Sequence, residues 1–447
     1  MPLSQGSKLS AALKDKLILE ARQRRGRQGE GAEGNTAVDA NPASSEVPPQ
    51  FWRFDQHPGY QQVQLMRSIG AHFGVQDPYF KLHEGTAGAT TQIDGRAYVN
   101  FASYNYLGLC GHPAVNAAAS AALTRFGTSV SASRVVSGER PVHRELEQAI
   151  ASVYEVDGAL ALVSGHATNV TVIGHLLGPR DLVIHDEFIH NSSLQGMVLS
   201  GARRMSFPHN DLAALDALLR EHRRRHERVL VVVEGLYSMD GDFPDLPQLV
   251  AIKRRHHAFL MVDEAHSFGV MGPTGRGIRE HFGLAGSDVD IWMGTLSKTL
   301  ASCGGYIAGE HALIDNLKHL APGFLYSVGM PPPVAAAALA ALRLMLAEPD
   351  RVARLRDHSA LFLAESKAAG LDTGTSAGLS VVPVIAGSSV RAVRLSAALF
   401  EAGINVQPIL YPAVPEHAAR LRFFLSSEHT EAQLVGSIQV MHETASD

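Results

Sequence analysis

Short apolar runs recur along the chain from about Phe101, alternating with longer stretches whose apolar residues follow helical spacing. The runs are ALALVSG (159–165), DLVIHDE (181–187), RVLVVVEG (228–235), FLMVDEAH (259–266) and DIWMGTLSK (290–298). Strand-like runs alternating with helical patterns predict a mainly parallel sheet wrapped by helices, an α/β fold. Four of the runs end in polar residues. Ligands of open α/β sheets sit beyond the carboxyl ends of the strands, so these endings are expected to share one crevice.

The flanks read differently. Lys8 to Arg25 (KLSAALKDKLILEARQRR) places Leu9, Leu13, Leu17 and Leu19 among charges, the pattern of an amphipathic helix that serves either as a solvated arm or as a docking helix. Gly26 to Gln50 is rich in Gly, Ala, Ser, Pro and charge and too poor in large apolar residues to offset the entropy of ordering, which predicts a linker. Past Pro331, a PPP turn leads into the helical VAAAALAALRLMLAE, then the β-rich LSVVPVIAG, a helix, and a last helix near Glu431. The expected division is a flexible arm and linker over 1–50, an N-terminal segment over 51–100, a large domain over 101–333 and a smaller α+β domain over 334–447. No repeat of 20 to 50 residues is visible.

With 447 residues, 45% of them hydrophobic and 19% charged, the chain can bury a large core and hold two or three structural units. A formal charge of -5 argues against a surface built for nucleic acid or anionic lipid and favours small-molecule chemistry. The two cysteines, Cys110 and Cys303, are far apart and lack partners at metal-ligand spacing, so neither a disulfide framework nor a zinc site is expected and a reducing cytoplasm fits. The first residues do not read as a signal peptide, and no apolar run approaches the ~20 residues needed to span a bilayer.

Three segments offer chemistry. EGLYSMDGD (234–242) follows a strand and presents Ser238, Asp240 and Asp242 around Gly241; alone it reads as a turn. VDEAHSFG (262–269) brings Asp263 out of an apolar strand with His266 three residues later. A carboxylate there needs a partner, whether the protonated ring nitrogen of a cofactor, a structural cation or a metal. DIWMGTLSKTLASCGGYIAG (290–309) sets Thr295, Ser297 and Lys298 in a stretch otherwise without charge beyond its first residue. Most lysines solubilise a surface, but an amine in an apolar, Gly-rich setting loses pKa to desolvation and is suited to Schiff-base chemistry.

Taken in order, these segments resemble the α-oxoamine synthases, pyridoxal 5'-phosphate (PLP) enzymes of fold type I that include 5-aminolevulinate synthase, 8-amino-7-oxononanoate synthase, 2-amino-3-ketobutyrate ligase and serine palmitoyltransferase. The resemblance runs from about Tyr98 to Thr430 and also covers FASYNYLGL, SGHATN, HDEFIHNSS, PHND, VDEAHSFGVMG, GRG, YSVGMPPP and PAVPEHAARLR. It implies an aminotransferase-like large domain with a smaller C-terminal domain, and decarboxylative condensation of an α-amino acid with an acyl thioester to give an α-amino ketone and carbon dioxide.

Carried over motif by motif, it implies that Lys298 holds PLP as a Schiff base and acts as the base at Cα, that Asp263 pairs with the pyridinium nitrogen, and that His266 meets the ring's 3-oxygen. His190 matches the histidine that stacks on the ring, and the resemblance implies that His190 or His266 assists proton movement or polarises the acyl carbonyl. Gly165 and His166 match the turn that meets the phosphate, and Ser238 and Thr295 match polar residues near ring and phosphate. Arg422 matches the residue that grips the substrate carboxylate; Arg420 reads as structural. Asn105 lies in a segment that helps hold that carboxylate in relatives, and His209 to Asp211 form the family's His-Asn-Asp turn.

Two departures stand out. Ser103-Tyr104-Asn105-Tyr106-Leu107-Gly108 replaces the Ser-Asn-Asp-Tyr-Leu-Gly of several relatives, and Ser327 is followed by Val328 where others carry a Ser-Thr pair that reaches the phosphate across a dimer interface. Ser327 is expected to substitute. The stretch SASRVVSGERPVHRELE (131–147) and the context of TLSK resemble synthases serving polyketide assembly lines, which implies an acyl carrier protein as donor rather than coenzyme A. Relatives share sites across a homodimer, which is expected here. Alternatives are another fold type I reaction, such as transamination or elimination, or a non-catalytic partner subunit. Retention of Lys298, Asp263 and His266 together argues against the last.

Overall fold

The computed structural model describes residues 47–72 and 77–446. The helix expected over Lys8–Arg25, and the expected linker except residues 47–50, lie outside the described residues. The described residues divide into two compact units, those within 1–77 together with 410–416, and those within 78–409 together with 417–446. In the first, 3-10 turns at Pro49–Phe51 and Phe54–Gln56 precede the helix Pro58–His72.

The second unit carries three sheets. Strands β1 (Thr90–Ile93) and β2 (Arg96–Asn100) form an antiparallel hairpin. The large sheet consists of β3 (Gly158–Leu162), β4 (Leu182–Asp186), β5 (Arg203–Phe207), β6 (Val229–Glu234), β7 (Phe259–Asp263), β8 (Ile291–Thr295) and β9 (Gly305–Gly309), in the order β3-β9-β8-β7-β6-β4-β5. Only β9 runs antiparallel to its neighbours, so the sheet is mainly parallel as expected. Farther on come β10 (Val381–Ile385), β11 (Ile404–Asn405), β12 (Gln407–Ile409) and β13 (Arg420–Phe424). β10, β13 and β12 form an antiparallel sheet, whereas β11 lies parallel to β2 and so joins the C-terminal region to the hairpin.

The central strands read as unbroken apolar runs because both sheet faces are covered. Val229, Val231 and Val233 of β6, Leu260 and Val262 of β7 and Trp292 of β8 pack into one core, while Leu230, Val232, Met261, Ile291 and Met293 between them pack into a second. Period-two alternation therefore partitions side chains between two apolar layers rather than between core and water. Two strands escape such a reading. β5 (RRMSF) is an edge strand with mostly exposed polar residues, and β9 (GYIAG) is short, fully buried and glycine-bounded.

Glycine in β9 serves a close approach. A Cβ at Gly305 would stand 2.5 Å from Thr168 Oγ1 and 2.7 Å from Gly165 Cα, so β9 docks directly on the first turn of the helix Gly165–Leu176. The strand order reverses between the neighbours β4 and β6: the chain leaves β4 outward to β5 but leaves β6 in the other direction, through β7 to β8. This is the topological switch at which a crevice opens beyond the carboxyl ends of the strands.

Candidate active site

Parallel register brings the strand ends together. Glu234, the last residue of β6, lies opposite Asp263, the last of β7, and Asp263 lies opposite Met293 of β8, five positions before Lys298. A turn then pins the lysine: Leu296 N donates to Gly304 O (2.9 Å), Ala301 N to Lys298 O (2.9 Å) and Thr299 Oγ1 to Phe268 O (2.8 Å). The ammonium lies 5.5 Å from the centre of the Tyr104 ring. Burial drives its pKa down to about 8, with Arg422 pushing the same way and Asp263 and Glu234 opposing. The Schiff-base expectation for Lys298 thus meets an amine that is partly neutral near neutral pH.

Asp263 is only 4% exposed. Its Oδ1 accepts from Ala265 N (3.0 Å) and its Oδ2 from Asn169 Nδ2 (2.8 Å), and among the described residues it forms no ion pair. A buried, oriented carboxylate without a cationic partner suits a protonated ring nitrogen. His266 hydrogen-bonds through Nδ1 to the Tyr106 hydroxyl at 2.7 Å, leaving Nε2 for another group. Burial, then Lys298, Arg422 and His190, hold it well below the usual histidine pKa, so it is neutral. His190 caps the helix Asn191–Ser200, with Nδ1 accepting from Ser192 N at 3.2 Å. Its ring stands perpendicular to that of His166, 6.5 Å away.

The expected phosphate turn is the start of the helix Gly165–Leu176, where free N–H groups and the helix dipole favour an anion. A Cβ on Gly165 would lie 2.8 Å from Thr295 Oγ1, so the backbone there is bare and close to Thr295, whose hydroxyl donates to Gly304 O at 3.0 Å. Lysine, carboxylate, imidazoles and helix start together fit PLP: Lys298 would hold its aldehyde carbon, Asp263 its ring nitrogen and the helix start its phosphate.

Alternation along β13 puts Arg420 and Arg422 on one face. Arg420 is consumed by a buried ion pair with Asp240 (2.5 Å) and by Met239 O (3.0 Å), the structural task expected of it. Among the described residues Arg422 has no carboxylate partner. Its Nη1 donates to Ser238 O (2.9 Å), its guanidinium lies 4.6 Å from the Phe424 ring centre, and its buried Nε has no partner. Ser238 enters the site through that carbonyl, while its own N–H donates to Glu234 Oε2 (3.2 Å).

Two expected site residues have other contacts. Asn105 clamps its own loop: Nδ2 donates to Ala87 O (2.7 Å), and Oδ1 accepts from Leu109 N (2.8 Å) and Cys110 N (3.1 Å), which leaves one N–H for the carboxylate. Ser327 Oγ donates to Val328 O (3.3 Å) at an exposed position. Tyr104, Tyr106, Asn169, Ser192 and Glu234 were not singled out from the sequence as site residues. Burial and the neighbouring Asp263 push Glu234 up to about 8.

His209 has a structural task of its own, bridging Asp186 Oδ1 (2.9 Å) and Asp242 Oδ2 (3.0 Å). Burial opposes its charge, yet the two carboxylates prevail and push it up to about 10. A folded-state value above the unfolded one (~6.5) contributes stability in full below pH ~6.5 and loses it as pH climbs through about 10. His209→Gln is expected to cost about 3–5 kcal/mol in urea unfolding near pH 6.5, with the gap to wild type narrowing steadily towards pH 10. A gap independent of pH would contradict the ionised bridge.

The family described as aminotransferase class I and II matches residues 96–438. The chain is 41% identical over 359 residues to an 8-amino-7-oxononanoate synthase of Geobacter sulfurreducens, covering 80% of this chain and 91% of that one. Among solved structures, serine palmitoyltransferase of Sphingomonas wittichii superposes with a TM-score of 0.83 at 30% identity, covering 87% of this chain and 97% of that one. A serine palmitoyltransferase with its PLP internal aldimine superposes equally well, at 30% identity over 86% and 97% of the two chains. The chain therefore belongs to the class I and II aminotransferase family, whose fold type I architecture its sheet reproduces. Within that family it is an α-oxoamine synthase, a PLP-dependent acyltransferase that condenses an amino acid with an acyl thioester and releases carbon dioxide.

Proposed function

We propose that this condensation takes place in the crevice around Lys298 and that the residues there divide the work as follows. When bound, PLP supplies an electrophilic aldehyde and a cationic ring that accepts the electron pair released at the amino-acid Cα. Arg422 grips the substrate carboxylate bidentately and thereby orients the Cα–H bond, and Lys298 Nζ removes that proton. Asp263 would pair with the ring nitrogen and keep it charged, and His266 Nε2 would meet the ring's 3-oxygen. The observation that carries this reading is an amine of lowered pKa beside an arginine whose buried Nε has no partner among the described residues.

The donor is proposed to be an acyl carrier protein thioester, on the likeness of residues 131–147 to synthases of polyketide assembly lines. Purified protein with PLP, a panel of amino acids and acyl groups on coenzyme A or carrier protein tests both points. An acylated product short of one carbon dioxide supports condensation, faster turnover with the carrier-bound acyl group supports the donor, and a keto acid alone would indicate transamination. In the same assay Arg422→Lys is expected to raise the amino-acid KM about 10- to 100-fold, since a charge-assisted hydrogen bond contributes roughly 1.5–3 kcal/mol. An unchanged KM would remove Arg422 from the carboxylate site.

A homodimer is proposed on an apolar surface built by the π-helical turn Arg134–Gly138 and the adjoining segment 326–329. Val135, Val136, Tyr326 and Val328 are all exposed, and Gly329 N donates to Ala132 O (3.0 Å) to hold the two together. Ser327 sits in this surface and is suited to serve a second copy's site. Tyr326→Asp with Val136→Asp is expected to convert a sedimenting dimer to monomer and to abolish turnover; a wild-type monomer would exclude the arrangement. Both cysteines are free, and no helix among the described residues is long and apolar enough to cross a membrane. The free thiols suit a reducing cytoplasm.

A further inference from the structure

His190 can be followed atom by atom into the buried carboxylate, and the hydrogens along the way have one consistent assignment. The Ser192 backbone N–H points at His190 Nδ1 from 3.2 Å. A backbone N–H only donates, so Nδ1 presents a lone pair and a neutral ring carries its hydrogen on Nε2. Ser192 Oγ lies 2.7 Å from the same Nδ1 and therefore donates to it. That leaves the Ser192 oxygen to accept from Asn169 Nδ2 at 2.9 Å. The second hydrogen of Nδ2 goes to Asp263 Oδ2 at 2.8 Å, and because a carboxylate only accepts, the orientation of the Asn169 amide is fixed as well. The amide's Oδ1 is left buried and without a partner, a cost tolerated for keeping both hydrogens on Ser192 and Asp263.

We propose that Asn169 and Ser192 are positioning residues that lock His190 as the Nε2–H tautomer, so that it presents a hydrogen-bond donor, not a base, to an anionic oxygen of the substrates. That oxygen is either the amino-acid carboxylate or the oxygen of the thioester carbonyl under attack. In the second case the carbonyl electron pair moves onto oxygen as the carbon–carbon bond forms, and it returns as the carbon–sulfur bond breaks and thiolate leaves. Asn169 and Ser192 are each 1% exposed and lie in the helices Gly165–Leu176 and Asn191–Ser200, so two helices and the end of β7 share one directed chain of hydrogen bonds. The surroundings agree. His190 is held below the ordinary histidine value by partial burial, and of the groups facing it Lys298, His166 and Arg422 press the same way against Asp263. His266, itself neutral, and the buried Glu234 complete that environment.

The identity of the oxygen rests on the condensation described above; the tautomer does not. Full-length protein, with and without PLP, is prepared with ring-15N histidine, and two-bond 15N–1H correlations are followed from pH 5 to 9, with His190 assigned by its loss in His190→Asn. An unprotonated Nδ1 and a protonated Nε2 at neutral pH are expected, with a midpoint below ~6.5. In Ser192→Ala the midpoint is expected to rise by about one unit, because a donor that favoured the neutral ring is gone, and Ser192→Thr is expected to restore it. Turnover of the alanine variant falls about tenfold, in step with one such hydrogen bond. An Nδ1–H tautomer, a charged ring at pH 7, or an unmoved midpoint in Ser192→Ala would overturn the inference. The wild-type spectrum alone decides the tautomer if the variants do not fold. The expected tautomer in a protein that condenses nothing would instead refute the reaction.

Discussion

Lys298→Ala is expected to lower turnover by about 10³-fold or more, the loss of both a nucleophilic amine and a positioned base, each of which contributes on the order of 10²–10⁴. Stability should change little, since the Lys298 side chain makes no ion pair among the described residues and its turn is pinned by backbone bonds and by Thr299. Borohydride treatment followed by peptide mass mapping should place the cofactor on Lys298 in wild type and leave the variant unlabelled. The pH dependence has a definite sign. Burial lowers the amine from 10.5 to about 8, and only the neutral amine attacks an aldehyde. Recapture of PLP by cofactor-free protein is therefore expected to accelerate as pH rises and to level off above about 8 rather than above 10. Turnover within tenfold of wild type in the alanine variant would remove Lys298 from the chemistry.

How far such a site can be read from sequence depends on which physical signal each residue leaves. Lys298 and Asp263 were legible because each ends a run of apolar residues: a charge at that point must be paired or used. The five strands named from the sequence are legible for the same reason, as apolar runs buried on both faces. β5 and β9 left no such mark, one being a half-exposed edge and the other depending on glycines that admit a neighbouring helix. Asn169 and Ser192 belong to quoted motifs, SGHATN and HNSS, yet nothing in a lone helical turn says that an amide four residues in will reach a carboxylate 94 positions away. Glu234 ends β6 just as Asp263 ends β7, and only the parallel register that sets the two side by side shows why its proton is retained. Asn105 shows the converse limit. Its place in a motif carries a functional expectation, and only the fold shows that the backbone of its own loop takes its carbonyl and one of its two amide hydrogens.

Asp263 carries the other large effect. An opposite charge in contact with an ionisable nitrogen raises its pKa by about one to three units, and each unit is about 1.4 kcal/mol of preference for the charged ring. If the ring must be cationic while electron density from Cα flows into it, Asp263→Asn should slow turnover by about 10- to 10³-fold. Part of any loss could arise from geometry, because Ala265 N and Asn169 Nδ2 each donate to one carboxylate oxygen and an asparagine offers only one acceptor. A permanently cationic cofactor separates the two causes. In Asp263→Ala, PLP methylated at the ring nitrogen supplies the charge the carboxylate would have maintained and occupies the space it vacated, so recovery of much of the lost turnover is expected. The same analogue should inhibit wild type, where its methyl group meets an anchored carboxylate. Equal turnover of Asp263→Ala with either cofactor would mean that Asp263 organises Asn169 and the crevice without maintaining the charge, and the electron-sink role would have to be given up.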